Sequence, residues 1–321
     1  MKKGHNLFDH TLIIDELEKS IKFHNLNSIL SFLPKGSYLV GGYIRDIVLK
    51  RVTEEVDVDI VVPFNAIEIG KSISENIKSK FLILDKEREV VRIIFNEISI
   101  DIANQIPSTI EDDLRSRDFS INSIAFLFDK KLLFDPLNGL KDLECSLLKT
   151  YSEINLLNDP LRILRCLRFV SELNFKIDLK LVDFLKKNKD KLYLVAKERI
   201  NYEIHKIVYG KNALEAVILL KRLNIFGSDN FYKNSFFLDL QKINFKEFNK
   251  NEKENFLPLF FISQILDEVS LERFKFSRAE IIKTKLLRKW HFLLKEKNVT
   301  QLTESDRFTL HRELEMFLPS F

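Results

Sequence analysis

Tyr38-Leu39-Val40-Gly41-Gly42-Tyr43-Ile44-Arg45-Asp46, followed by Val56-Asp57-Val58-Asp59-Ile60-Val61-Val62, is the stretch that decides the fold. Ser37 to Val40 reads as a short strand running into Gly41-Gly42, and Tyr43 to Lys50 as a helix. Val56 to Val62 is a strand of near-continuous Val and Ile, interrupted only by Asp57 and Asp59. These two carboxylates are two residues apart, so both project from one face of the strand. Their Cα atoms stand about 6.7 Å apart by strand rise, close enough to share a divalent ion pair. Ionised groups in such a row are costly unless a cation or partner compensates.

An isolated D-x-D more often marks an exposed edge strand. Here apolar residues flank it on both sides and a Gly-Gly turn lies upstream, which favours a metal site. Mg²⁺ binds through one or two carboxylates plus substrate phosphates, and paired metals suit in-line phosphoryl displacement. Asp101 closes the Ile98–Ile102 run, which reads as a strand lying beside the first. It either orients or deprotonates an attacking hydroxyl, or caps the strand. Gly41-Gly42 lets backbone N–H groups approach phosphate oxygens. Arg45 adds a phosphate donor, with Asp46 as its orienting partner. Neither G-x-G-x-x-G nor a Walker lysine motif occurs, which argues against a dinucleotide enzyme and a P-loop ATPase.

Outward from this centre, residues 7–33 and 66–80 carry helical spacing, and Pro34 stops the first. Val90–Phe95 and Ile98–Ile102 read as strands joined by a hairpin-like turn at Asn96-Glu97. Beyond about residue 150 the periodicity is helical: Leu161 to Leu173, Leu179 to Leu185, Ile200 to Val208, Ala213 to Leu223, and a Phe-, Lys- and Leu-rich tail from about 230. The fold class expected is α+β: a mixed α/β head followed by an all-helical neck and body. The segments expected are 1–35 (N-terminal helical), 36–150 (head), 151–225 (neck) and 226–321 (body and tail).

The 321 residues are 45% hydrophobic and 31% charged, which excludes a disordered tail, a collagen-like fibre and a disulfide-stapled miniprotein. A formal net charge of +4 permits a nucleic-acid partner without requiring one. Cys145 and Cys166 both lie amid apolar residues and are expected as two reduced core thiols. No apolar run approaches the length of a membrane span. Asp9, Asp15, Glu16 and Glu18 do not suit a signal peptide, so a cytoplasmic location is expected.

The residues also carry a family resemblance. Tyr38 to Asp46 with Asp57-Val58-Asp59 resembles the first motif of the class II tRNA nucleotidyltransferase and bacterial poly(A) polymerase family. Arg117-Asp118-Phe119-Ser120-Ile121-Asn122 is similar to its R-R-D-F-T-x-N motif. Asp135-Pro136-Leu137-Asn138-Gly139 with Asp142-Leu143 resembles D-P-x-G-G-x-x-D-L. Asp159 to Phe169 resembles E-D-x-L-R-x-x-R-x-x-R-F, and Glu198-Arg199-Ile200 with Glu203 matches E-R-I-x-x-E. The motifs run in order over residues 37–205.

The resemblance implies that Asp57 and Asp59 hold two Mg²⁺ ions; Asp101 is expected as a third catalytic carboxylate from its strand position alone. It implies nucleotide contacts from Gly41, Gly42, Arg45 and Arg117, with Asp118 and Asn122 in the same motif. Asp159, Arg162, Arg165 and Arg168 would form a nucleotide-recognition helix, the protein itself acting as template. The chemistry agrees. Cytosine and adenine both place an amino donor beside a ring-nitrogen acceptor, which Asp159 and Arg162 complement, whereas uracil and guanine present the opposite pattern. The expected function is addition of nucleotides from CTP, ATP or both to the 3′ acceptor end of tRNA. Poly(A) polymerase and a catalytically silent RNA-binding scaffold are the alternatives. No protein partner or membrane is implied.

Ser116 stands where the family has the first Arg of R-R-D-F, Asn158 where it has Glu, and Asn138 where it has Gly. Only a short segment separates Asp101 from Arg117, as in members that add part of the CCA end. Residues 271–297 hold nine Lys or Arg (Arg273, Lys275, Arg278, Lys283, Lys285, Arg288, Lys289, Lys295, Lys297) against Glu272, Glu280 and Glu296. With Phe274, Phe276, Trp290 and Phe292 interleaved, they are expected to form a basic RNA-backbone face. His205 is expected to be structural.

Overall fold

β2 (Val56–Val62) is the middle strand of a seven-stranded sheet in the computed structural model, which describes residues 9–51, 56–95, 97–105, 109–227, 250–296 and 301–315. The other strands are β1 (Tyr38–Val40), β3 (Lys80–Asp85), β4 (Val90–Phe95), β5 (Ile98–Asn104), β6 (Ala125–Leu127) and β7 (Leu132–Phe134), in the order β3-β4-β5-β2-β1-β6-β7. β2 and β5 pair in parallel, and every other pair is antiparallel. Alternation gives the sheet two unlike faces. On one, Val58, Ile60 and Val62 join Ile98, Ile100, Ile102, Val91 and Ile93, all buried. On the other, Val40, Val61 and Ala125 pack with Ile110 and Leu114, and the same face carries Asp57 and Asp59.

The helices are α1 (His10–Phe23), α2 (Asn27–Leu30), α3 (Gly42–Val48), α4 (Ala66–Ile77), α5 (Ile110–Ser116), α6 (Gly139–Glu144), α7 (Glu153–Asn158), α8 (Arg162–Leu173), α9 (Leu179–Asn188), α10 (Lys197–Val208), α11 (Ala213–Arg222), α12 (Lys250–Asn255), α13 (Leu257–Ile265), α14 (Glu268–Arg273), α15 (Arg278–Glu296) and α16 (Glu304–Glu315). The chain falls into two compact units, 1–155 and 156–321. In the first, α4 lies close on the apolar sheet face: a Cβ on Gly70 would stand 2.6 Å from Val91 Cγ2 and 3.2 Å from Phe81. α1 is tied to α3 through Tyr43, whose hydroxyl lies 2.8 Å from Ser20 Oγ and 2.9 Å from His24 Nδ1. Burial pushes the Tyr43 phenol up to about 12.

In the second unit, Leu164 and Leu167 of α8 are buried along with Ile204 and Ile207 of α10 and Val217 and Leu220 of α11. Ser171 donates to the Ile207 carbonyl at 2.6 Å, and Gly210 has no room for a Cβ beside it. Among the described residues no helix is long and apolar enough to cross a membrane.

Three expectations change. The helix over 7–33 is broken where Asn25 adopts φ 55. The helix from Ala66 stops at Ile77, because Lys78 turns left-handed at φ 53, and the chain continues as edge strand β3. That strand leaves Leu82, Ile83 and Leu84 about half exposed, so it has no alternation to read. Cys166 is in the core, but Cys145 is exposed. Asn96, residues 228–249 and Lys297, which earlier expectations included, lie outside the described residues.

Gly70→Ala forces a methyl against Val91, and overpacking of this kind costs about 1–3 kcal/mol. Urea unfolding followed by circular dichroism should show the midpoint fall with the slope unchanged.

Candidate active site

The carboxylate strand meets the glycine turn through register. Val40 of β1 is the partner of Asp59, and on the other side Asp59 is the partner of Asp101. Gly41 follows Val40 at φ +78, a conformation that L side chains rarely adopt. A Cβ there would stand 2.8 Å from Asp59 Oδ2 and 3.1 Å from Arg117 Nη1. The missing side chain is therefore what admits a carboxylate and a guanidinium to the same spot. Asp57 is exposed and Asp59 half-buried, because β2 enters the sheet from its surface end.

The arginines are held by carboxylates of their own. Arg45 forks onto Asp46, from Nε to Oδ1 at 3.1 Å and from Nη2 to Oδ2 at 2.7 Å, and Nη1 donates to Asn122 Oδ1 at 2.8 Å. Asn122 in turn donates to Asp118 Oδ1 at 3.0 Å, and the Phe119 N–H donates to the same oxygen at 2.9 Å. Asp118 and Asn122 are both buried, so they bear on this site by orienting Arg45. Arg117 caps the end of α5 and donates to Asp113 Oδ2 at 3.0 Å, one helical turn back.

The Asp135–Leu143 segment is the frame for this motif. Asp135, with its pKa raised by burial, accepts the Gly139 and Leu140 N–H groups at 2.6 and 2.9 Å. Asn138 sits at φ 56, which explains the family glycine there: Asn is among the few other residues that tolerate this region. Gly139 is pinned because a Cβ would stand 2.3 Å from the Ser120 carbonyl. Ser120 donates to Asp142 Oδ2 at 2.6 Å, and Lys149 donates to Oδ1 at 2.6 Å. The turn carrying Asn122 is thus fixed from beneath. Ser116, where the family has Arg, donates to the Asp113 carbonyl at 2.7 Å.

Asp101 is engaged by a residue that sequence reading passed over. Arg92 of β4 is its register partner, donating from Nε to Oδ1 at 2.7 Å and from Nη2 to Oδ2 at 2.8 Å. The fork raises the Arg92 pKa, with Asp57 and Asp59 adding to it. Among the described residues no group of three or more His, Cys, Asp or Glu is assembled as a metal ligand set. Asp57 and Asp59 stand as a pair, and Asp101 turns to Arg92.

In the second unit, Asp159 precedes α8. Its Oδ1 accepts the Leu161 N–H at 3.2 Å, and its Oδ2 accepts Arg199 Nη2 at 2.8 Å. Arg162 and Arg165 are half-buried. Arg168 is not with them: it is buried and donates from Nη1 to Glu203 Oε1 at 2.9 Å. Each three-residue step falls about 60° short of a full helical turn. The two steps from Arg162 to Arg168 within α8 therefore turn the row by about 120° about the helix axis. Arg168 is corrected to a core residue tying α8 to α10, and its pull only partly opposes the burial that raises the Glu203 pKa.

The basic stretch is also corrected. Phe274, Phe276 and Trp290 are buried core residues, so they cannot stack on bases. Arg288 turns inward to the Ser263 carbonyl, and burial lowers its pKa. Lys275, Lys285 and Lys289 pair with Glu198, Glu268 and Glu313, acids that a local count could not see. The His205 ring stacks on Phe276 and sits 2.9 Å from the Asn201 carbonyl and 2.7 Å from Glu280.

Comparison with known proteins follows the same division. Residues 37–106 and 103–149 match the poly A polymerase head domain, and 174–228 match the probable RNA and SrmB-binding site of polymerase A. A CC-adding tRNA nucleotidyltransferase of Synechocystis sp. is 38% identical over 176 residues, 55% of this chain and 42% of that protein. An A-adding tRNA nucleotidyltransferase of Deinococcus radiodurans is 32% identical over 197 residues, 60% of this chain and 44% of that protein. The solved structure of a tRNA-processing enzyme in an apo form is similar with a TM-score of 0.66 at 26% identity, covering 87% of this chain and 84% of that one. The chain spans under half the length of the curated relatives named here.

The His205–Glu280 pair makes stability depend on pH. Its hydrogen bond to Glu280 raises the His205 pKa. The contribution of the charged ring is complete below the unfolded value of 6.5 and is lost as pH rises through the raised value. Glu280 is held down to about 2, so its contribution is present above 4.5 and is lost as pH falls through about 2. The melting temperature of the protein minus that of His205→Gln should be largest near pH 5–6 and should shrink above pH 6.5; a difference flat across that range would contradict the pairing.

Proposed function

We propose that the chain, which carries the poly A polymerase head domain, transfers nucleotides from CTP, ATP or both to the 3′ end of tRNA without a nucleic-acid template. The observation that carries this reading is the approach of Asp59 to Gly41 and Arg117, with Asp57 two residues away on the same face of β2. Two hard oxygen donors on one strand face, beside a backbone turn kept clear of side chains, fit Mg²⁺ better than a thiolate- or imidazole-preferring metal. A ligand set limited to two carboxylates also suits Mg²⁺, which characteristically completes its shell with substrate phosphate and water. Asp57 and Asp59 would hold two such ions. When bound, these make the terminal ribose hydroxyl more acidic and neutralise charge building on the departing pyrophosphate.

The chain's own residues do the rest. Arg117 and Arg45 bind the incoming triphosphate or its ribose, kept in place by Asp113 and by the Asp46–Asn122–Asp118 network. They hold the α-phosphorus where the tRNA 3′-hydroxyl oxygen bonds to it as the bond to pyrophosphate breaks. Asp159 accepts the amino hydrogen of cytosine or adenine, and Arg162 donates to the ring nitrogen beside it. The Arg199 guanidinium now on Asp159 is 54% exposed, and exposed pairs of this kind are weak enough to exchange. A carbonyl at the base's amino position would face the Asp159 carboxylate, which rejects uracil and guanine. A cytoplasmic location accords with this role.

With Mg²⁺ and transcripts ending before CCA, after C and after CC, single labelled nucleotides should be incorporated as C, as A, or as C followed by A. Long A tails on unrelated RNA would instead identify a poly(A) polymerase, and no incorporation would leave only RNA binding. Asp57→Ala and Asp59→Ala should each abolish transfer, by more than about 10³-fold for loss of this electrostatic arrangement, with an unchanged circular dichroism spectrum.

A further inference from the structure

We infer that Arg92 and Asp101 form a neutral positioning pair that takes the third carboxylate of the row out of the metal-binding set and limits how strongly Asp57 and Asp59 attract a cation on their own. The inference rests on the reading that Asp57 and Asp59 hold the divalent ion. Asp59, Asp101 and Arg92 are successive register partners across β2, β5 and β4. Adjacent strands lie about 4.8 Å apart, so two like charges stand side by side. Left to itself, Asp101 would join the pair as a third ligand or raise the repulsion within it. Arg92 prevents both. Its fork occupies both Asp101 oxygens, at 2.7 and 2.8 Å, and draws the carboxylate toward β4. Arg92 is also the only basic residue in β2, β4 and β5.

Two consequences follow for cation binding. The fork offsets the Asp101 charge, so the metal-free face is less negative by one carboxylate than it would be without Arg92. The cation is then held by two protein ligands, so its affinity depends on the phosphates that arrive with the nucleotide. A site with three open carboxylates would instead hold metal before the nucleotide arrives. Asp101 is thus neither the base nor the ligand that its position first suggests, and Arg92 acts through it.

The test is Mn²⁺ binding to the nucleotide-free protein, followed by electron paramagnetic resonance, which needs no turnover. Asp57→Ala is the reference variant and should lose Mn²⁺ binding. If it binds as the unmodified chain does, the metal-site reading itself fails. Given that loss, Arg92→Met should tighten Mn²⁺ binding, by about tenfold for one charge at this range. Asp101→Asn should weaken it by a similar factor, because Arg92 is then uncompensated. The double variant should return to within about twofold of the unmodified chain if the effects are those of a neutral pair. Arg92→Lys, which keeps the charge but cannot fork, should stay closer to the unmodified chain than Arg92→Met does. A double variant as weak as Asp101→Asn would make Asp101 a ligand and overturn the inference, as would an Arg92→Met affinity that does not change.

Discussion

Like charges on a central strand are the constraint around which the first unit is arranged. Asp57 and Asp59 share a face with Asp101 of the neighbouring strand, in a sheet whose opposite face is apolar, with Val and Ile on β2 joined by Leu39 and Phe126. Burial forbids all three from standing open without compensation. The head answers in three ways. It starts β2 at the surface, leaving Asp57 in water. It sets a glycine at φ +78 beside Asp59, where any side chain would collide. And it places Arg92, Arg45 and Arg117 around the carboxylates, each tethered to an acid of its own. The functional groups are therefore held largely as pairs, with Arg92 on Asp101, Asp46 on Arg45 and Asp113 on Arg117.

That pairing also explains why residues of one motif have different duties. In Arg117 to Asn122, the arginine caps α5 and reaches the space beside Gly41, while Asp118 and Asn122 are buried and steer Arg45 from below. The segment around Asn138-Gly139 touches neither carboxylate. It supports the Ser120 turn by packing backbone to backbone, with Asp142 and Lys149 locking it. Motif positions that look equivalent on paper divide into those that reach the site and those that keep the reachers still.

Much of the head was legible because short runs rich in Val and Ile declare strands, and a D-x-D inside one declares a face. β2, β4, β5 and the helices from Arg162 to Arg222 fall close to their expected bounds. β3 was not legible: an edge strand with three consecutive half-exposed apolar residues has no alternation. Arg92 was invisible for another reason, since its importance lies in a cross-strand partner rather than a neighbour in the chain. The basic stretch over 271–297 misled in the same way. Its acids sit on α10, α14 and α16, and its aromatics, at a spacing compatible with stacking, fill the core. Helical drift, by contrast, was available in the numbering: two steps of three residues already carry Arg168 away from Arg162.

The Arg168–Glu203 contact gives two distant segments a shared fate. Replacing Arg168 alone strands the Glu203 carboxylate in a low-dielectric core, a loss of about 3–5 kcal/mol for a buried pair, which is a large part of the stability of a typical domain; replacing Glu203 leaves Arg168 with Glu172, 3.5 Å from its Nε. Replacing both with well-packed apolar residues can be neutral. A lineage drifting through sequence space therefore leaves this arrangement most easily by a double step, since losing Arg168 first removes a large part of the stability. α8 and α10 are in that sense one heritable unit, although thirty-odd residues separate the two side chains.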